Sequence, residues 1–236
     1  MNGIGEVSVR HGTTDIAVMR QVFEGREYDI ARYGQYAAVR DRYDAIRMSG
    51  RLPLIIDAGA NIGATSLWFA REFQHAHVIA VEPEAGNAAC CRTNVENHKR
   101  ITVREAAIGS QPGRVSLHNP SGHTWAPRSS RNDVGAIDVV TIPELVASIP
   151  DATLFLVKID IEGFESDLFA GNLGWIDDAA AILIEMHDWM LPGSGSSFAV
   201  QKAMGERRFE MVLSGENLLY FNTAKVEAVG PTALEC

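Results

Sequence analysis

The chain has 236 residues and a mass of 25.7 kDa, enough for one domain with a sizeable core and an N-terminal extension. Its composition, 46% hydrophobic and 22% charged, is that of an ordinary globular protein, and a formal charge of −9 without any basic stripe argues against a nucleic-acid backbone as the main partner. Cys90, Cys91 and Cys236 form neither a disulfide framework nor a zinc spacing, no run reaches membrane-spanning length, and residues 1–6 lack a basic-then-apolar leader, so the expectation is a soluble protein of the reducing cytoplasm with no membrane partner.

Residues 1–50 read as a helical extension. Thr14 and Asp15 can cap a helix over 16–23, which Gly25 stops. A second patterned stretch, 33–48, mixes Tyr33, Tyr36, Tyr43 and Ile46 with Arg40, Arg42 and Arg47. These helices either cover one edge of a sheet or bring tyrosines over a ligand pocket.

At Leu54 the pattern changes. Leu54, Ile55 and Ile56 form a short buried-strand run that Asp57 ends, and Gly59, Asn61 and Gly63 crowd into the turn before helical spacing resumes at Leu67, Trp68 and Phe73. Glycine and asparagine tolerate positive φ, and glycine lets a ligand approach the backbone closely. A second apolar run, 78–81, ends in Glu82, where an acid can accept both hydroxyls of a ribose. A dinucleotide fold would place Gly-x-Gly-x-x-Gly here to seat a pyrophosphate on the helix N-terminus. This chain has Asp57-x-Gly59-x-Asn61-x-Gly63 instead, with no arginine nearby. An acid directly before the turn repels phosphate and can receive an ammonium group.

The alternation of strands and helices that follows predicts a mostly parallel sheet covered on both faces. Residues 101–108 read as its third strand, with Ala106 and Ala107 leaving room for a flat base. Two β-like runs, 114–118 and 136–141, flank a stretch rich in Ser, Pro, Gly and Asn around His118, His123, Trp125, Arg128 and Arg131. A loop this long is a substrate-side lid or a plain surface excursion. Pro143 opens a short helix reaching 149.

The run 154–163, read as a strand, places Lys158, Asp160 and Glu162 on one face and Val157, Ile159 and Ile161 on the other. A central parallel strand is apolar on both sides, and unpaired buried charge is costly. The three charges therefore belong at the carboxyl end, where ligands bind in open α/β sheets, or form a local Lys158–Asp160 pair that orders the turn. A fifth strand, 181–187, ends in Glu185 and His187 on one face. If the two strands are neighbours, Asp160, Glu162, Glu185 and His187 gather in one crevice, where His187 or Asp160 can take a proton from an attacking hydroxyl. The same acids could instead hold Mg²⁺. A loop over 188–198 carrying Trp189 and Met190 lies above this edge, 199–206 is helical, and 209–213 pairs with 218–221 as a hairpin.

The stretches Ile-Asp-Ala-Gly-Ala-Asn-Ile-Gly (56–63), Val-Glu-Pro (81–83), Glu-Ala-Ala-Ile-Gly (105–109), Lys-Ile-Asp-Ile-Glu-Gly-Phe-Glu (158–165) and Ile-Glu-Met-His (184–187) together resemble the FkbM family of methyltransferases. The 158–165 run is the most specific of them, because class I methyltransferases at large do not share it. The resemblance implies a Rossmann-like class I methyltransferase fold: α/β, with a mostly parallel seven-stranded sheet, an antiparallel C-terminal hairpin, helices on both faces and an N-terminal helical extension. The methyltransferase domain would cover 51–223, with a β-like insertion and lid loop at 110–142 and a tail at 224–236.

The same likeness implies an S-adenosylmethionine site made by Asp57, Gly59, Asn61, Gly63, Glu82, Pro83 and Ala107. Catalytic groups would come from Asp160, His187, Glu162, Lys158 and Glu185. The expected reaction is O-methylation of a small-molecule hydroxyl, as on a polyketide or glycoside of secondary metabolism such as antibiotic biosynthesis, by a monomer or homodimer; Mg²⁺ is an open possibility. A nicotinamide-dependent oxidoreductase, disfavoured by the turn pattern, and a non-catalytic nucleoside-binding protein are the alternatives.

Overall fold

The computed structural model describes residues 6–118, 128–131, 136–190 and 192–222. Helices α1 (Asp15–Phe23) and α2 (Tyr36–Met48) precede β1 (Leu52–Ala58), α3 (Ala64–Glu72), β2 (His77–Val81), α4 (Ala85–Val95) and β3 (Ile101–Arg104). Then come β4 (Ala107–Ile108), β5 (Gly113–His118), β6 (Arg128–Arg131), β7 (Ile137–Val140) and α5 (Ile142–Ala147). The chain continues through β8 (Ala152–Ile159), α6 (Glu165–Leu168), α7 (Gly174–Asp178), β9 (Ala181–Glu185), α8 (Phe198–Gly205) and the hairpin β10 (Phe209–Ser214) and β11 (Asn217–Asn222).

Seven strands form one sheet in the order β10-β11-β9-β8-β1-β2-β3. The five strands from β3 to β9 run parallel, and β11 enters antiparallel between β9 and β10. This is the Rossmann-like α/β arrangement expected of the chain. β1 has β2 on one side and β8 on the other, so the winding reverses there and a crevice opens at the carboxyl ends of the strands.

Alternation along β1 assigns the two cores. Ile55 faces Val22, Val39, Tyr43 and Ile46 of α1 and α2, together with Trp68, Phe69 and Phe73. Leu54 and Ile56 face the opposite core with Ile142, Leu145, Trp175, Val200 and Met204. Where β8 pairs with β1 the register skips Phe155, and this one-residue bulge puts Phe155 on the same side as Leu156, against Tyr43 and Phe73.

Several expected elements end elsewhere. The strand read over 101–108 breaks after Arg104, because the Glu82 amide donates to the Arg104 carbonyl and the Ala106 amide to the Glu82 carbonyl. The chain is thereby carried across the end of β2, and residues 107–108 join a second sheet, β4-β7-β5-β6. The strands read over 154–163 and 181–187 stop at Ile159 and Glu185. The Thr14 side chain makes no capping bond; the buried Asp15 instead accepts three hydrogen bonds from Arg10.

The tyrosines of the N-terminal helices are packing residues and do not roof a pocket. Tyr43 is buried between Phe73 and Phe155, the Tyr36 hydroxyl donates to Glu72, and Tyr33 lies against Phe221. His123 and Trp125, the side chains of His118, Arg128 and Arg131, and everything after Asn222 lie outside the described residues, and with them the expected lid and tail. Among the described residues no helix is long and apolar enough to cross a membrane.

Candidate active site

A crevice opens at the carboxyl ends of β1, β2 and β8. Gly59 and Asn61 form one wall, and Val81, Glu82, Pro83 and Asn87 the next. Ala106, Ala107 and Ile108 make a small-residue slot, which Asp160, Ile161, Glu162 and Phe164 face. The second sheet backs this slot, since Ala107 packs with Val115, Val139 and Phe164.

Two glycines of the turn do different work. Gly59 has φ +78°, and a Cβ there would sit 1.7 Å from the Asp160 carbonyl oxygen, so only glycine lets the β1 turn lie against the loop after β8. Gly63, at φ +86°, is closed off by Cys91 Sγ, 2.8 Å from where a Cβ would be. It seats α3 against α4 and lies away from the crevice lining, so its expected ligand contact is replaced by a packing role.

Glu82 is the buried carboxylate of the crevice. It accepts from the Asn61 amide (2.8 Å), the Glu84 amide (3.0 Å) and the Asn87 side-chain amide (3.4 Å). Burial nevertheless pushes its carboxyl up to about 7.

Asp57 departs from expectation. It is fully buried and outside the lining of the crevice; Ser66 donates to one oxygen (2.6 Å), and the Lys158 ammonium lies 3.5 Å from the other. The ammonium group that an acid at this position can receive is supplied by the protein itself. Lys158 also donates to the Gly59 carbonyl (2.8 Å) and to Asp160 (3.3 Å). Burial alone pulls its ammonium down, but Asp160, Tyr28, Asp57 and Glu185 outweigh it and hold the group well above its ordinary value. Lys158 is therefore a charged clamp between β8 and the β1 turn, not a group that reaches the crevice. Its pairing is wider than the local Lys158–Asp160 contact.

His187 is likewise buried and outside the crevice lining. Its Nδ1 meets Glu165 at 2.7 Å, while Nε2 lies 3.5 Å from Asp160, 3.6 Å from Glu185 and 3.8 Å from Glu162. Burial works against the imidazolium, but hydrogen bonds with Asp160, Glu165 and Glu185 hold its proton up to about 12. With its proton held by these partners and its ring outside the crevice lining, His187 balances the carboxylates and does not face an acceptor in the crevice. Glu185 points into the same network and also lies outside the crevice lining.

Asp160 and Glu162, which both line the crevice, diverge. Burial pushes Asp160 up, yet Lys158 and His187 overcome this and hold it below the usual carboxylate range. Glu162 is pushed up to about 8, by burial first and then by the Asp160 charge. Its backbone is at φ +54°, its Oε2 is buried, and that atom has no hydrogen-bond partner among the described residues.

Asp160, Glu185 and His187 each offer one atom within 4.8 Å of the others, a possible metal-ligating group. A histidine with two carboxylates suits a first-row transition metal better than Mg²⁺, the ion left open by the sequence, which prefers oxygen ligands and water. The imidazolium already balances the same carboxylates.

Of the expected site residues, the structure brings Gly59, Asn61, Glu82, Pro83, Ala107, Asp160 and Glu162 to the crevice and turns Asp57, Gly63, Lys158, Glu185 and His187 inward. Asn87, Ile108, Phe164 and the histidine partner Glu165 were not foreseen as site residues. Asn87 stands in the first turn of α4, whose Glu84 cap accepts from the Gly86 and Asn87 amides. A polar residue one helical turn past a capped start, beside a strand-terminal acid, is the signal that could have found it.

Comparison with known proteins bears on what such a crevice does. The chain is 26% identical over 155 residues to the 2-O-methyltransferase NoeI of Sinorhizobium fredii (strain NBRC 101917 / NGR234), a match covering 58% of this chain and 64% of that one. It is 23% identical over 179 residues to Methyltransferase 1 of Beauveria bassiana (strain ARSEF 2860), covering 65% and 70%. A solved methyltransferase from Geobacter sulfurreducens superimposes over 91% of this chain and 90% of that one with 16% identity and a TM-score of 0.42. Residues 57–211, which span β1 to β10, match the methyltransferase FkbM domain, and the chain belongs to that family of methyltransferases.

Proposed function

We propose that this methyltransferase uses S-adenosylmethionine to methylate a hydroxyl group of a small molecule. The observation that carries this reading is the layout of the crevice. A buried carboxylate, Glu82, stands beside a slot of small apolar residues, Ala106 to Ile108, and both open towards Asp160 and Glu162. Glu82 suits a ribose and the slot suits a base, with Asn61 and Gly59 bounding the amino-acid end. S-adenosylmethionine would supply an electrophilic methyl group carried on a sulfonium.

The chain's own residues then hold the acceptor oxygen and accept its proton. Glu162 is the base in this reading: it lines the crevice, and burial with the neighbouring Asp160 charge pushes its carboxyl up to about 8, so that its carboxylate is a stronger base than an ordinary one. Asp160 stays ionised beside Lys158 and His187 and holds charge at the crevice without taking the proton. Positioning supplies the larger share of the acceleration, with the base adding about 10²–10⁴-fold.

Transfer to an oxygen is supported by the relative NoeI, a 2-O-methyltransferase, and we extend the reading to a polyketide or glycoside acceptor of secondary metabolism. The buried free thiols of Cys90 and Cys91 support work in a reducing compartment. Calorimetry with S-adenosylhomocysteine tests the donor site: one molecule is expected per chain, weakened by Glu82→Gln. Absence of binding, or binding indifferent to Glu82, overturns the assignment.

A further inference from the structure

We infer that Arg10, in the segment before α1, is a positioning residue of the donor site, acting on Glu82 through the side chain of Asn87. This rests on the reading of Glu82 as the ribose-binding carboxylate. The segment from Ser8 to Asp15 touches α4 from Asn94 near its C-terminal end to Asn87 in its first turn and is tied down at both ends. At one end the Ser8 amide donates to Asn94 Oδ1 (2.7 Å), and Asn94 Nδ2 donates back to the Ser8 carbonyl (3.1 Å) and to the carbonyl of Ile62 in the β1 turn (2.9 Å). At the other, Arg10 is pinned on the buried Asp15 through its amide (2.8 Å), Nε (3.0 Å) and Nη2 (2.9 Å).

Held in that way, Arg10 Nη2 also donates to Asn87 Oδ1 at 2.7 Å. A guanidinium has donors only, so the amide oxygen of Asn87 must face it and the amide nitrogen is left facing the crevice. There Nδ2 donates to Glu82 Oε1 at 3.4 Å. Without Arg10 the amide is free to flip, and a flip would set oxygen against carboxylate at the atom that meets the ribose. Asn87 is buried, so solvent cannot replace the lost direction. The contact joins residues far apart in the chain, and the Asn94 link ties the same segment to the carbonyl of Ile62 in the β1 turn, next to the crevice residue Asn61.

The test is a comparison of ligands on the whole chain. Calorimetry measures the Kd of S-adenosylhomocysteine and of its 2′,3′-dideoxy analogue for the unaltered protein, Arg10→Ala and Asn87→Ala. The expected result is that Arg10→Ala and Asn87→Ala each weaken S-adenosylhomocysteine about tenfold, the scale of one charge-assisted hydrogen bond. Combining them should add nothing, and the dideoxy analogue should bind the unaltered and Arg10→Ala proteins alike. Losses that multiply in the double variant, equal weakening of both ligands, or no weakening by Arg10→Ala overturn the inference, because a merely structural strap does not discriminate by ribose hydroxyls. Should Arg10→Ala fail to fold, Arg10→Lys, which keeps the charge on Asp15 but loses the fork that reaches Asn87, carries the same prediction. Failure of the unaltered protein to bind S-adenosylhomocysteine overturns the donor site itself, and this inference with it.

Discussion

The two ends of the crevice are built from different materials. At the β1–β2 end, backbone and small side chains do most of the work: Gly59 permits a close approach that no other residue could, alanines leave a slot, and a single acid, Glu82, is held by two backbone amides and Asn87. At the β8–β9 end, Lys158 and His187 are buried among Asp57, Asp160, Glu162, Glu165 and Glu185. The contrast teaches that density of charge does not locate the reacting groups. Most of the charges at the second end satisfy one another, and the proposed mechanism gives the proton to Glu162, which lines the crevice.

The sharpest break of this comparison is to remove a cation from the charged end. Lys158→Met or His187→Gln strands buried carboxylates and should each cost about 3–5 kcal/mol of folding stability, read as a shift of the urea midpoint. For His187 the sign in pH follows from a folded value near 12 against an ordinary 6.5. Its stabilisation is complete below pH 6.5 and drains away as pH rises towards 12, so the unaltered protein should lose stability across that window and His187→Gln should not share that slope. Equal stability of variant and unaltered protein would return His187 to the list of free bases.

Next in size, Glu162→Gln should slow methyl transfer to a hydroxyl acceptor by about 10²–10⁴-fold while leaving the fold and donor affinity close to unaltered. In the unaltered enzyme, turnover should rise with pH through about 8 as Glu162 loses its proton, and the variant should lack that limb. A variant that keeps the limb would assign the proton to another group.

Smaller again, Glu82→Gln should weaken S-adenosylhomocysteine by about 1–3 kcal/mol, the value of hydrogen bonds to a charged group, with little change in melting temperature. The smallest expected effect is that of a chelator. Because the imidazolium already balances Asp160 and Glu185, turnover should be unchanged by chelation; loss of turnover that Mg²⁺ restores would put a divalent ion among these carboxylates.

Much of this molecule is readable from local pattern. Apolar runs of strand length, the punctuation of glycine and asparagine after Asp57, the acid closing β2 and the hairpin at the end each depend on a few neighbouring residues, and physical chemistry at that range is nearly context-free. A mostly parallel seven-stranded sheet with an antiparallel hairpin followed from the family resemblance; the order of its strands, and with it the placement of Glu82 and Ala107 beside one another, came from the structure.

Partnership among distant charges could only be settled in three dimensions. Asp57, Lys158 and His187 carry in sequence every mark of reacting groups, yet Asp57 meets Lys158 and His187 meets Glu165 only because β1, β8 and β9 end side by side. Whether a charge faces a ligand or another charge depends on separations of about 3–4 Å between segments far apart in the chain, since interaction energy falls with distance and burial removes the screening of water. The sequence thus determined which elements form and which residues cluster at their ends; the tertiary structure decided which of those residues remain available for chemistry.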